Sequence, residues 1–327
     1  MTAPLSKFRL AQPRTVKEAI AARLNHPGGR FVAGGTDLLV NMRRGISSPD
    51  LLVDLSGIDE LAEIETNGHG VTIGAGVTIA TLARNAVIAT QYRALAQAAE
   101  AIAGPGHRIM GTVGGNLCLD TRCIYYNQSE WWRKANAYCL KNRGDTCHVA
   151  PQGQRCHAAF TGDLAPALLV FGAEIDIAGA QGHRRISLSE LYVEDGKGHL
   201  ALADGELIVA VHLPSDPPPS AYAKIRTRAA IDFPLAGVAV ALAASGANVG
   251  SLRVALTGTN SRPFLLAGTE AFAGRSVDET LLQEIDRLVQ KQVQPMRTTI
   301  VSANYRRVAA AALARRLTAS LYAASVA

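Results

Sequence analysis

Four of the chain's five cysteines, Cys123, Cys139, Cys147 and Cys156, and both of its tryptophans, Trp131 and Trp132, fall within residues 119–160. Four thiols brought together need a local scaffold, and Tyr125, Tyr126 and Tyr138 join the tryptophans as apolar material for one. The flanking sequence is of another kind, apolar and rich in small residues. The cysteine-bearing segment therefore reads as an insertion into a larger unit.

What the thiols hold depends on compartment, since clustered cysteines form disulfides in oxidising surroundings and bind metal or do redox chemistry in reducing ones. The opening MTAPLSKFRLAQPRTVKEAIAARL has no apolar run behind a basic start and no small-residue cleavage site, so a cytoplasmic location is expected. There, four thiolates can close a tetrahedral zinc site or hold an iron–sulfur cluster. The intervals of 15, 7 and 8 residues include no Cys-x-x-Cys pair and do not name the metal. Unligated thiols and a disulfide pair are the other readings. His148 and His157 each follow a cysteine and could replace one as ligand, though a place on the surface or behind the ligands suits them better. Cys118 reads as a small buried hydrophobe.

The formal net charge of +6 is spread over the chain in runs no longer than a pair, which argues against nucleic-acid binding and for a solvated basic surface. Within 119–156, Arg122, Arg133, Lys134, Lys141, Arg143 and Arg155 outnumber Asp120, Glu130 and Asp145, predicting a locally basic face able to receive an acidic electron carrier. The longest uncharged run, residues 233–252, contains Pro, Asn, Ser and three Gly, and reads as strand, turn and strand instead of a membrane span.

Thr15 and Glu18 have capping-box spacing ahead of the helical face Val16, Ile20 and Leu24. Residues 81–103 have helical spacing up to the stop AGPG. The stretch PSDPPPS at 214–220 predicts an extended tether and a domain boundary. Three units follow: 1–57, then 58–216 with 119–160 inserted, then an α+β unit over 217–327.

In VAGGTDLL, a strand runs through Gly34 and Gly35 into a helix start at Asp37, so backbone N–H groups can face an anion. GTVGGN offers a second such turn. Neither matches G-x-G-x-x-G or the P-loop, which removes support for a Rossmann or ATPase site and leaves a flavin dinucleotide bound in extended form.

With these stretches in view, FVAGGTDLLVNMR, GTVGGNLC, DLAPALLVFGAEIDI and RAAIDFPLAGVAVAL together resemble the FAD-binding medium subunits of the xanthine dehydrogenase family of molybdenum hydroxylases, over nearly the whole chain. In that family GGNLC runs more directly into DLAPAL; here Leu119 to Gly162 intervene. The stretch TRCIYYNQSEWWRKANAYCLKNRGDTC is similar to the insertion of 4-hydroxybenzoyl-CoA reductase β subunits, which holds a [4Fe-4S] cluster.

The resemblance implies an α+β architecture: a two-subdomain PCMH-type FAD-binding fold with a [4Fe-4S] insertion, followed by a C-terminal α+β domain. It implies flavin contacts from Val32, Ala33, Gly34, Gly35, Thr36, Asp37, Leu38 and Leu39, from Thr112, Val113, Gly114, Gly115 and Asn116, and from Ile102, Asp163 and Lys224. Cluster ligands would be Cys123, Cys139, Cys147 and Cys156. No catalytic acid, base or nucleophile is needed in this chain, since FAD and the cluster carry the redox chemistry. The implied partners are a molybdopterin-binding large subunit, a small subunit with two [2Fe-2S] clusters and a ferredoxin donor, in a dimer of heterotrimers. The implied activity is electron input for the reductive dehydroxylation of 4-hydroxybenzoyl-CoA. The alternatives are the FAD subunit of another molybdenum hydroxylase, acting on purines, aldehydes or CO, and a zinc-stapled binding module.

Overall fold

The structure is a computed structural model in which residues 5–326 are described. Strands β1 (Arg9–Ala11), β2 (Arg30–Val32) and β3 (Leu51–Asp54) make a small parallel sheet in the order β1-β3-β2. Parallel neighbours need a crossover, and α1 (Val16–Leu24) and α2 (Leu38–Arg43) provide it. Thr15 caps α1 by accepting from the Glu18 amide at 3.2 Å, as its spacing predicts. The Glu18 carboxylate reaches back to the Arg14 amide at 2.8 Å, one residue earlier than a capping box requires.

A second sheet is antiparallel throughout: β4 (Ile64–Asn67), β5 (Gly70–Gly74), β6 (Glu174–Gly179), β7 (Gly182–Ser187) and β8 (Leu207–Pro214), in the order β4-β5-β8-β6-β7. Between β5 and β6 the chain forms α3 (Ile79–Arg84), α4 (Ala86–Gln91), α5 (Arg93–Ala101), α6 (Pro105–Arg108) and α7 (Val113–Leu117). The cysteine-bearing segment with α8 (Glu130–Ala135) and then α9 (Leu164–Val170) complete this excursion. The alanine-rich stretch thus folds as three short helices. Asn85 ends α3 and starts α4, its side chain accepting from the amides of Val87 and Ile88, because an Asn side chain competes with helix continuation by capping.

The last sheet contains β9 (Ser220–Ile225), β10 (Ala236–Ser245), β11 (Asn248–Thr257) and β12 (Phe264–Leu265), in the order β12-β11-β10-β9. The uncharged run is therefore the β10–β11 hairpin. Its alternation buries both faces: Val238, Val240 and Leu242 pack with α10 (Glu279–Gln292) and α11 (Ala303–Val326), while Ala239 and Ala241 join the core of the middle unit. The proline-rich stretch predicted as a tether is only the joint between β8, which ends at Pro214, and β9, which begins at Ser220. Tyr222 and Ala255 lie in the same core as α5 and α9, so this joint does not separate independent bodies. Among the described residues no helix is long and apolar enough to cross a membrane.

Candidate functional site

A cavity of about 480 Å³ opens where the end of β2, the start of α7 and the loop between β9 and β10 converge. Its wall includes Val32, Ala33, Gly34, Gly35, Thr36, Asp37 and Leu38, together with Ile102, Thr112, Gly115, Asn116 and Asp163. The two glycine turns face each other closely. A Cβ on Gly34 would stand 1.7 Å from the Met110 carbonyl oxygen, so no larger residue fits there. Among the described residues, the amides of Gly35, Thr36 and Asp37 have no hydrogen-bond partner. Unpaired donors on residues that line a cavity suit an anionic group such as a diphosphate.

Four of the residues named from sequence lie off this wall. Leu39 packs with Val32, Met42 and Leu52, and Val113 is enclosed in the main core. Gly114 donates to the Ala75 carbonyl at 2.8 Å and borders a second cavity of about 720 Å³, which also touches Asp37, Tyr126, Lys141 and His199. Lys224 sits behind the first wall, its ammonium 2.8 Å from the Asp163 carboxylate. Burial pushes the Asp163 carboxyl above its ordinary range against the pull of Lys224 and of the Tyr222 hydroxyl, which donates to it at 2.7 Å.

Sequence reasoning missed Arg122 and Asn127 from the cysteine-bearing segment, and Arg228, Ile231, Asp232 and Phe233 from the β9–β10 loop, all of which line the cavity. The loop lies within the quoted stretch RAAIDFPLAGVAVAL, the available signal. Nothing in the spacing tied Arg122 to the glycine turn. The Asp37 carboxylate, at the start of α2, does not cap that helix and is instead gripped by the Arg122 guanidinium and by Asn41, whose amide donates at 3.1 Å.

The cysteine-bearing segment is closed at its base by paired backbone bonds between Arg122 and Ala159, at 2.7 and 2.8 Å. Cys123, Cys139 and Cys156 share a buried cluster with Tyr126 and Ala158. Cys147 is buried beside them. The neighbouring Cys156 thiol, helped by nearby amides, holds Cys147 down at about 4, and Cys156 itself is pushed well above the ordinary thiol range. Burial pushes the Cys123 thiol up to about 11. All five cysteines are free. Among the described residues, no group of three or more His, Cys, Asp or Glu side chains is set to hold a metal ion, so the thiols meet as a buried cluster and not as a formed metal centre.

The structure turns half of the expected basic face inward, leaving Lys134 and Arg143 exposed and Arg155 half-buried. Arg122 and Arg133 are buried, and the Lys141 side chain is only 5% exposed. Arg133 donates to the carbonyls of Arg44 and Gly45, and Lys141 to Asp120, Thr121 and the Gly196 carbonyl, so these cations are internal staples. A charge count does not tell which way a side chain turns. The tryptophans also divide: Trp132 packs with Tyr125 and His148, whereas Trp131 is 78% exposed and shields nothing.

Residues 6–216 match the family described as the FAD binding domain in molybdopterin dehydrogenase, and residues 220–321 the CO dehydrogenase flavoprotein C-terminal domain. The chain belongs to the FAD-binding medium subunits of the molybdenum hydroxylase family. It is 34% identical over 280 residues to the aldehyde oxidoreductase FAD-binding subunit PaoB of Escherichia coli, covering 82% of this chain and 86% of that one. It is 26% identical over 314 residues to the carbon monoxide dehydrogenase medium chain of Afipia carboxidovorans, covering 94% of each. A solved Cu,Mo-CO dehydrogenase superposes with a TM-score of 0.80 at 24% identity, over 98% of this chain and 99% of that one, a likeness of fold. The first cavity is thus the place in a family FAD domain where unpaired amides and a charged wall meet.

Proposed function

We propose that this chain is the electron-transfer flavoprotein subunit of an aldehyde-oxidising molybdenum hydroxylase, with FAD in the first cavity and a [4Fe-4S] cluster on Cys123, Cys139, Cys147 and Cys156. One observation carries the substrate class: 34% identity to an aldehyde oxidoreductase subunit, against 26% to a carbon monoxide dehydrogenase medium chain. The partners in this reading are a molybdopterin-binding large subunit and a small subunit with two [2Fe-2S] clusters, in two copies of a three-subunit unit. Oxidising an aldehyde to a carboxylic acid takes its oxygen from water and releases two protons and two electrons, for which this chain would be the path to an external oxidant. FAD supplies the exchange between paired and single electrons, and the cluster single-electron transfer. The chain's own residues would bind and orient the cofactor: the unpaired Gly35, Thr36 and Asp37 amides would hold its diphosphate, and Ile102 and buried Asp163 line the cavity. Four buried thiols in one segment would offer the donor set of a thiolate-held cluster.

A second reading keeps both cofactors and reverses the flow, with a ferredoxin delivering electrons for 4-hydroxybenzoyl-CoA reduction. The likeness of residues 121–147 to that reductase's insertion favours it. The test mixes the purified three-subunit complex, without oxygen, with an aromatic aldehyde or with 4-hydroxybenzoyl-CoA plus reduced ferredoxin. Bleaching of the visible flavin band by the aldehyde supports the first reading. Benzoyl-CoA formation without such bleaching replaces it with the second.

A further inference from the structure

Three carboxylates border the first cavity, Asp37, Asp163 and Asp232, and each has its own cation. Lys224 lies 2.8 Å from Asp163, and Arg228 lies 3.3 Å from Asp232. These two pairs join residues of the middle and C-terminal units or of one loop. The third differs in origin, because Asp37 sits in the first glycine turn while its partner Arg122 belongs to the cysteine-bearing segment, directly before Cys123.

The side chains that grip Asp37 are enclosed, while its own side chain is 27% exposed toward the cavities it borders. Arg122 is 9% exposed and Asn41 is 4% exposed. The Arg122 guanidinium binds the Asp37 carboxylate and also donates to the Asn41 side-chain oxygen at 2.9 Å, while the Asn41 amide donates to Asp37 at 3.1 Å. The three side chains form a closed ring. On its other side the guanidinium stands 5.7 Å from the centre of the Phe233 ring, in the β9–β10 loop, so three parts of the chain meet on this one residue.

A carboxylate in a loop that must face a diphosphate opposes binding unless it is neutralised, and the opposition is strong where water is excluded. We propose that Arg122 is the counter-charge that lets the Asp37 loop accept an anionic diphosphate, so that the cysteine-bearing segment completes the flavin site as well as carrying thiols. The inference rests on the reading that FAD occupies the first cavity. Arg122 acts through Asp37 and is a positioning residue. No flavin contact is assigned to it.

The test strips flavin from the full chain and titrates FAD against the wild type, Arg122→Met, Asp37→Asn and the double variant, following flavin fluorescence, with thermal melts as a control on folding. Arg122→Met should weaken FAD at least about tenfold, because it leaves the carboxylate unpaired. Asp37→Asn should bind at least as tightly as the wild type. The double variant, which removes both charges, should return to within about threefold of it, since coupled residues are non-additive. Unchanged affinity in Arg122→Met overturns the proposal. So does a double variant no better than Arg122→Met, which would mean a structural role, or an Asp37→Asn loss, which would mean that the carboxylate itself holds the flavin. A wild-type chain that takes no FAD removes the flavin reading and this inference with it, an outcome distinct from failure in the variants alone.

Discussion

The Lys224 ammonium lies 2.8 Å from the Asp163 carboxylate, with the two side chains only 3% and 5% exposed. Removing one partner of such a pair leaves an enclosed charge, a change that costs about 3–5 kcal/mol. Lys224→Met should therefore lower the urea midpoint. Burial already raises the Asp163 carboxyl, and without Lys224 only the Tyr222 hydroxyl and the Arg226 charge oppose it. A carboxyl titrating higher in the folded state than in the unfolded one contributes stability at low pH and loses it as pH rises. The deficit of Lys224→Met should thus be smaller near pH 5 than near pH 8, both about one unit or more above an ordinary carboxyl. A deficit independent of pH contradicts the assignment.

Gly34 admits no side chain, its Cβ position lying 1.7 Å from the Met110 carbonyl oxygen. Gly34→Ala must push the two glycine turns apart, and the unpaired amides of residues 35–37 move with them. FAD affinity should fall by at least about tenfold, the effect of losing about 1.4 kcal/mol of contact. The thermal midpoint should fall as well, because the atoms that must give way are backbone. Equilibrium dialysis with FAD, beside a melt, checks both.

Cys139→Ser removes one thiol of the buried cluster and leaves the first cavity untouched. The purified variant should lose most of its iron and keep its flavin. Metal analysis beside flavin absorbance reads the two separately, and full iron content would take Cys139 out of the ligand set.

The loop at 194–197 holds the thiol segment from outside: the Asp195 carboxylate accepts from the Cys156 amide at 3.0 Å and the Gly196 amide donates to the Cys156 carbonyl at 2.8 Å. A Cβ on Gly196 would meet the Ala158 oxygen at 2.7 Å and nitrogen at 2.8 Å. Gly196→Ala should therefore loosen Cys156, speed alkylation of the thiols in the metal-free chain and lower iron content, while flavin stays bound. Alkylation rates matching the wild type would contradict this.

How much of this could be read in the sequence depended on the range of the interaction. The Thr15 cap, the β10–β11 hairpin and the glycine turns are set by neighbours within a few residues, and their spacing showed them. The alanine-rich stretch showed its helical spacing but not its division into three short helices, the first break of which is made by a single side chain, Asn85. Arg122 on Asp37, Gly196 on Ala158 and Lys224 on Asp163 join residues far apart in sequence, and no local pattern marks them. The inward turn of Arg133 and Lys141 was likewise hidden, since carbonyl acceptors such as those of Gly45 and Gly196 carry no signature in composition.

The most direct test of the account is the cofactor content of the chain purified without oxygen. About one FAD with about four iron and four acid-labile sulfides per chain is the predicted result. Zinc in place of iron would contradict the electron-transfer role of the thiols, and a colourless chain that takes up no FAD would contradict the flavin site itself.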